Sequence, residues 1–314
     1  MSDIRLTAVS RTQGNNAALK SGDVVPHGFA LDFIEVPVLV RAFRRMVREL
    51  EFDICEMALT TYLCAREHGV AFTALPIFLV RAFHHGAIVY DARSGLADPK
   101  QLEGRRVGVG RGYTVTTGVW ARAILADEYG VDLSKITWVL SGDEHVQAYE
   151  PPPNVVPIEP GQTIEALLEA GELAAAVNVD TTNPNIQPLI PNALEAGIAA
   201  FRRDGHYPIN HLIVARDAVL DAHPDLAGAL FEAFAESKRL YLDALTSGRI
   251  ASPTSADRLH LRMLEHVSDP LPYGIEPNRR VLERLMAHAT AQQILRKPVE
   301  IESLFAPTTL ELTG

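Results

Sequence analysis

Residues able to move protons or hold anions gather in a few stretches of this chain. Glu56 stands just ahead of Thr60, Thr61 and Tyr62, where a carboxylate can orient a histidine or accept a phenol proton; a buried ion pair is its plainer use. Arg81 closes the apolar run Ala74–Val80, and its fork of parallel donors matches a carboxylate in a way that lysine does not. A surface salt bridge is the alternative for that arginine. His84 and His85 are adjacent, so they face opposite sides on a strand and diverge on a helix. Both cannot readily line one site, and His84 fits the rim or solvent better. His211 follows Pro208 at the start of a strand-like run, where a histidine serves either proton chemistry or a hydrogen-bonded core.

Gly108, Gly110 and Gly112 follow one apolar run and precede a helical one. A dinucleotide fingerprint needs glycine where Tyr113 stands, and the P-loop lysine is absent. The helix start at Thr114, Thr116 and Thr117 offers free N–H groups and hydroxyls that suit a carboxylate, or else a plain cap. Asp143-Glu144-His145 falls in a loop without a metal-protease spacing, and Cys55 and Cys64 lie nine apart, unlike a zinc knuckle. The Asp143–His145 cluster leaves an unspecific divalent site open, and beyond it these patterns call for no metal and no cofactor.

The elements that must position these groups follow from periodicity. Ile4, Leu6 and Ala8 alternate with neighbours as in a first strand, Ala30–Val36 reads as a second, and Val38–Leu50 as a helix ahead of the buried stretch Phe52–Leu59. Such βαβα order implies a mostly parallel sheet with ligands at the carboxyl ends of its strands. A second passage has strands at Arg106–Val109, Ile136–Leu140 and Ala174–Val179. Its helices are Thr116–Tyr129, stopped by Gly130, and one around Ile164, Leu167 and Leu168. His211–Ala215 reads as a returning strand, followed by helix Asp225–Leu245 and a helical tail.

A length of 314 residues suits two lobes or one large α/β domain, and 47% hydrophobic with 22% charged residues is ordinary for a globular protein. A net charge of −10 repels nucleic acid and anionic lipid. The start Met1–Leu6 lacks a basic segment followed by an apolar one, and Ala74–Val80 is too short to span a bilayer. The chain therefore reads as cytoplasmic, with no nucleic-acid partner and no membrane segment. A homo-oligomer is left open.

The stretches Leu102–Val109, Glu128–Leu133, Ile136–Val139 and Leu168–Ala176 resemble the second lobe of type 2 periplasmic binding proteins. Three further stretches resemble 4,5-dihydroxyphthalate decarboxylases, which are enzymes on that scaffold: Glu51–Met57 with Tyr62, Leu75–Phe78 with Arg81 and His85, and Gly205–His211. The chain departs from that family in its first loop, Ser10–Gly14, where an acidic residue or histidine is usual, and at Asn210, where a hydrophobic residue is usual.

The resemblance implies an α/β protein with lobe one formed by residues 1–100 and 209–314, an inserted lobe two of 101–208, and a ligand cleft between them. It implies nonoxidative decarboxylation of a hydroxylated aromatic carboxylate, with 4,5-dihydroxyphthalate giving protocatechuate and carbon dioxide. His211 is then the acid, and His85 or Glu56 the base. Arg81 and the Thr114–Thr117 helix start anchor the second carboxylate, while Thr60, Thr61, Tyr62, Tyr113, Tyr207 and Asn210 line the ligand. The cleft is expected to be locally positive through Arg81, helix starts and Arg111. Two other classes use the same scaffold: a noncatalytic solute-binding protein for an aromatic carboxylate, serving an ABC transporter, and an eliminating enzyme such as a chorismate dehydratase.

Overall fold

A computed structural model describes residues 4–314. The opening residues Met1, Ser2 and Asp3, on which the expectation of no leader partly rests, lie outside the described residues. Strand β1 (Ile4–Val9) leads through a loop to the short helix α1 (Ala17–Ser21), β2 (Phe29–Phe33) and α2 (Leu39–Glu49). Helix α2 buries Ala42, Phe43, Met46 and Val47 on one stripe and turns Arg44, Arg45 and Arg48 outward, the helical period expected of an amphipathic element. Strand β3 (Ile54–Ala58) is buried at every position and runs into α3 (Leu59–Glu67), β4 (Phe72–Arg81) and β5 (Ile88–Asp91).

Strand β6 (Arg106–Val109), helix α4 (Thr116–Tyr129) and strands β7 (Thr137–Leu140) and β8 (Val155–Pro157) follow. Gly130 ends α4 with a φ of 62°, the left-handed cap that glycine adopts without strain. Next come α5 (Ile164–Glu169), β9 (Ala175–Val177), β10 (Ile186–Pro188), α6 (Ala193–Asp204) and β11 (Ile209–Arg216). The tail is helical: α7 (Asp217–Ala222), α8 (Leu226–Thr246), α9 (Ser255–Leu264) and α10 (Arg279–Ala291). Several strands are shorter than their apolar runs. β2 stops at Phe33 and β9 at Val177, because the residues beyond them turn away from the ladder into loops.

Two sheets result, ordered β2-β1-β3-β11-β4 and β10-β5-β9-β6-β7-β8. In the first, β11 alone runs antiparallel to its neighbours β3 and β4; in the second, β5 runs antiparallel to β9 and β10 while β9, β6, β7 and β8 are mutually parallel. Each antiparallel strand is the one that enters its sheet straight after the chain crosses from the other. The crossing comes earlier than the expected boundary at residue 101. β5 already pairs in the second sheet, so the change of unit falls between Arg81 and Ile88.

Helix α4 ties the units together. Trp120 Nε1 donates to the Ile209 carbonyl at 2.9 Å, Arg122 Nε donates to Gln292 Oε1 at 2.7 Å, and His288 Nε2 meets Asp127 Oδ2 at 2.8 Å. Its first turn thereby faces the seam between the sheets, and its body packs on α10. Among the described residues no helix is long and apolar enough to cross a membrane.

Candidate active site

The carboxyl ends of β1, β3, β6 and β7 meet the amino end of β11 at this seam. Registry places His211 opposite Ala58 and Ile213 opposite Glu56, so His211 and Glu56 are diagonal neighbours on one face of the sheet. Their side chains bond there: His211 Nδ1 lies 2.6 Å from Glu56 Oε1. Glu56 is fully buried, and its other oxygen accepts from Ser10 Oγ at 3.2 Å and from the Arg11 amide at 3.0 Å. A carboxylate only accepts, which puts the proton of the neutral imidazole on Nδ1 and leaves Nε2 as the free nitrogen. The His211 side chain is 19% exposed, and Nε2 has no hydrogen-bond partner among the described residues.

Phe43 on α2 stands edge-on to this imidazole, ring centroids 5.3 Å apart, and also edge-on to His145 at 6.2 Å. His145 comes from the loop after β7, in the other unit. Its Nδ1 lies 3.1 Å from Thr61 Oγ1 on α3. Burial, reinforced by Arg44, drives the His145 pKa down to about 4.

Further contacts close the seam. Thr60 Oγ1 lies 2.5 Å from the Thr114 carbonyl and 2.9 Å from Thr116 Oγ1, and the Thr60 amide donates to the same Thr116 oxygen at 3.1 Å. Arg44 and Arg48 of α2 reach Asp143 at 2.6 and 3.1 Å. Glu144 turns inward instead. Its carboxylate accepts from the Tyr113 amide, from the Thr114 amide at 3.2 Å and from Thr114 Oγ1 at 2.6 Å. Asp143, Glu144 and His145 thus point to three separate sets of partners. Among the described residues no group of His, Cys, Asp and Glu is arranged to hold a metal ion.

The structure therefore brings together Glu56, His211, Thr60, Thr61, Thr114, Thr116 and the amide of Tyr113. It places other expected site residues elsewhere. Arg81 is buried with its guanidinium turned toward the tail, donating to the Tyr207 and Pro272 carbonyls and to Asn278, and burial lowers its pKa to about 10. Its two Nη atoms are spent on these acceptors and its buried Nε has no partner among the described residues, so the group points into the tail side and not at the Glu56–His211 seam. Arg111 sits at the seam on a left-handed backbone, φ 79°, held through its amide to Ser141 Oγ.

His85 is buried against Glu128, Nε2 to Oε1 3.2 Å. Glu128 lies twelve residues along α4 from Thr116, about 18 Å down the helix axis. His84, expected at the rim, is buried with Nε2 2.8 Å from Asn210 Oδ1, and burial takes its pKa to about 4. Asn210 is thereby on the face of β11 opposite His211. Tyr62 is a pin in the core, its hydroxyl donating to the Leu304 carbonyl and accepting from the Ala74 amide at 3.2 Å. Tyr207 packs on Phe83 with ring centroids 5.0 Å apart, and its buried hydroxyl lacks a partner among the described residues. Thr117 is part-exposed on the first turn of α4.

Phe43, Ser10, the Arg11 amide and the separate uses of Glu144 and His145 are missing from the sequence-derived site. One signal was available for the last two. The residues after β7 follow a strand of a parallel sheet, and such loops belong at the ligand side.

A seam where parallel strands end, between two α/β units exchanged by antiparallel crossing strands, defines a protein of the periplasmic-binding-protein fold. Solved structures agree. The Candida albicans CA3427 gene product, of generic periplasmic-binding-protein fold, matches with a TM-score of 0.58 at 13% identity over 100% of this chain and 99% of its own. The Escherichia coli periplasmic aliphatic sulphonate binding protein SsuA gives 0.56 at 11% over 99% and 100%. The desulfurization enzyme DSZB gives 0.56 at 15% over 98% and 97%.

Among curated proteins, the 4,5-dihydroxyphthalate decarboxylase of Comamonas testosteroni is 31% identical over 286 residues, 86% of each chain. That of Pseudomonas putida is 33% identical over 143 residues, 43% of this chain and 55% of its own. No protein-family model matches. The chain belongs to the family of 4,5-dihydroxyphthalate decarboxylases.

Proposed function

We propose that the protein removes a carboxylate, as carbon dioxide and without oxidation, from a hydroxylated aromatic acid such as 4,5-dihydroxyphthalate. The observation that carries this is the buried Glu56 behind His211, 2.6 Å away, with Nε2 left open at the seam. Family membership supports the same reaction. Direct loss of carbon dioxide would leave an aryl carbanion whose lone pair is orthogonal to the ring π system. The ring carbon must therefore be protonated before or during cleavage.

In the proposed step, protonated His211 gives its Nε2 proton to the ring carbon that bears the carboxylate, while an ionised hydroxyl para to that carbon supplies the electrons for the new C–H bond. When the C–C bond breaks, its electron pair returns to the ring, the hydroxyl oxygen recovers its negative charge, and carbon dioxide leaves. Glu56 holds the imidazole and stabilises its cationic form, the part a carboxylate plays behind a catalytic histidine. It is occupied in that work, and His85 is far off, so the hydroxyl proton falls to another group. His145 faces the same phenyl ring as His211, but burial takes its pKa to about 4, which makes it too weak a base for a phenol, so the hydroxyl proton passes to a solvent water. The amides of Tyr113 and Thr114 with Thr114 Oγ1 would anchor the second carboxylate.

A solute-binding protein needs anion donors but has no use for a buried carboxylate behind an open imidazole. The two readings separate on turnover. Purified protein given a panel of hydroxylated benzoates and phthalates should release carbon dioxide, and His211→Gln should lower that rate by about 10² or more while ligand affinity and melting temperature change little. Binding without carbon dioxide release from any member of the panel would overturn the assignment.

A further inference from the structure

The donors that should receive a ligand carboxylate already hold one. Glu144 uses both oxygens on the Tyr113 and Thr114 amides and Thr114 Oγ1. The floor of this cradle is Gly112, where a Cβ would fall 2.6 Å from Glu144 Oε2; a side chain there would evict the carboxylate. Behind it lies Arg122, which is fully buried. Its Nη2 donates to the Tyr113 carbonyl at 2.6 Å, its guanidinium carbon stands 3.8 Å from the Tyr113 ring centroid, and its Nη1, against the first turn of α4 at Gly118, has no hydrogen-bond partner among the described residues. No carboxylate among the described residues lies within ion-pair distance of it. An unneutralised buried cation is costly, and it gives the cradle a lasting demand for negative charge.

We infer that this cradle is a carboxylate subsite in which Glu144 stands in for the ligand, and that an aromatic acid binds by displacing it. The inference rests on the proposed use of an aromatic carboxylate and says how that ligand enters. The exchange swaps one carboxylate for another, so it leaves the charge beside Arg122 unchanged. It also leaves the loop fastened, because Asp143 stays with Arg44 and Arg48 and His145 stays with Thr61. Only the Glu144 side chain must swing out. While it is seated, the free cradle is a minor state, and apparent affinity is lowered by the fraction of molecules in which it is empty.

The test is calorimetric binding of benzoate and phthalate, with melting temperatures, for the full chain and for Glu144→Ala and the near-isosteric Glu144→Gln. Removing the competitor should tighten benzoate about tenfold or more. Acetate, too small to reach any ring-binding surface, should raise the melting temperature of Glu144→Ala and leave that of the unaltered protein unchanged. A variant that melts lower, binds benzoate as before and ignores acetate would make Glu144 a structural cap, and weaker benzoate binding would make it a ligand contact. Either result overturns the inference. Should Glu144→Ala fail to fold, the Gln variant carries the affinity test alone, with unchanged or weaker binding again counting against it. The assignment of function is judged separately: acetate rescue without carbon dioxide release from any aromatic acid removes the reaction and keeps the subsite, whereas carbon dioxide release without rescue or tighter binding does the reverse.

Discussion

Glu56 and His211 are 155 residues apart in the chain and reach each other because two antiparallel strands put them on one face. The carboxylate is locked by a hydroxyl and an amide on its far oxygen, so its orientation is fixed before any ligand arrives. Glu56→Gln breaks this arrangement at small cost in volume. An amide cannot accept on both sides: either its NH₂ faces the Arg11 N–H, or it faces His211 and reverses the tautomer. Turnover should fall by about 10² to 10⁴, with KM changing far less. A kcat within threefold of the parent would show Glu56 to be a core residue only. This pair was legible in the sequence because both residues sit in stretches that resemble one family. Arg81 and His85 sit in equally similar stretches, yet a sequence cannot show that Tyr207 before β11 and Pro272 and Asn278 in the tail take the Nη atoms of Arg81, or that His85 meets the far end of α4.

At the scale of elements, the seam depends on how closely the ends of β6 and β9 approach. Gly108 and Gly110 matter here for lack of a side chain, not for phosphate binding. A Cβ on Gly110 would fall almost onto the carbonyl oxygen of Asn178, which is backbone; one on Gly108 would meet only side chains, 2.6 Å from the Cγ2 methyl of the stiff, β-branched Ile164 and 2.9 Å from Leu173 Cδ1, the end of a flexible one. Overpacking of the second kind costs about 1–3 kcal/mol, and the first kind cannot be relieved by a rotamer change. Gly110→Ala should therefore lower the melting temperature more than Gly108→Ala and also weaken ligand binding, since it pushes apart the strand ends beside the Tyr113–Thr114 cradle. Equal melting temperatures for the two variants would contradict this. Most strands and helices were readable from apolar period and from stops such as Gly130. The entry of β5 into the second sheet, between β10 and β9, was not, because a strand of four residues carries too little periodicity to show which sheet it joins.

Over the whole molecule, buried neutral histidines stand at the joints between parts: His145 on Thr61 across the seam, His84 on Asn210 beside a crossing strand, His206 against Trp120, and His260 on Tyr241 between α8 and α9. Burial lowers all four, His145, His84 and His260 to about 4 and His206 to about 3. An unfolded histidine titrates near 6.5, so between pH 6.5 and about 4 the unfolded chain binds protons that the folded one refuses. Stability is then fully present above pH 6.5 and is lost as the pH falls, by up to about 1.4 kcal/mol per pH unit for each histidine. Carboxylates act in a lower window. Burial alone would raise Asp127, but His288 and Arg284 hold it below its ordinary value, and its contribution is kept until the pH drops beneath about 4. The melting temperature should therefore be level from pH 7.5 to 6.5 and fall by about 5 °C or more between pH 6.5 and 5, before carboxylates begin to titrate. His206→Gln, which cannot take up a proton, should flatten that slope by its share. A melting temperature that stays level down to pH 5 would mean that these joints open to water, and accept protons, without loosening the fold.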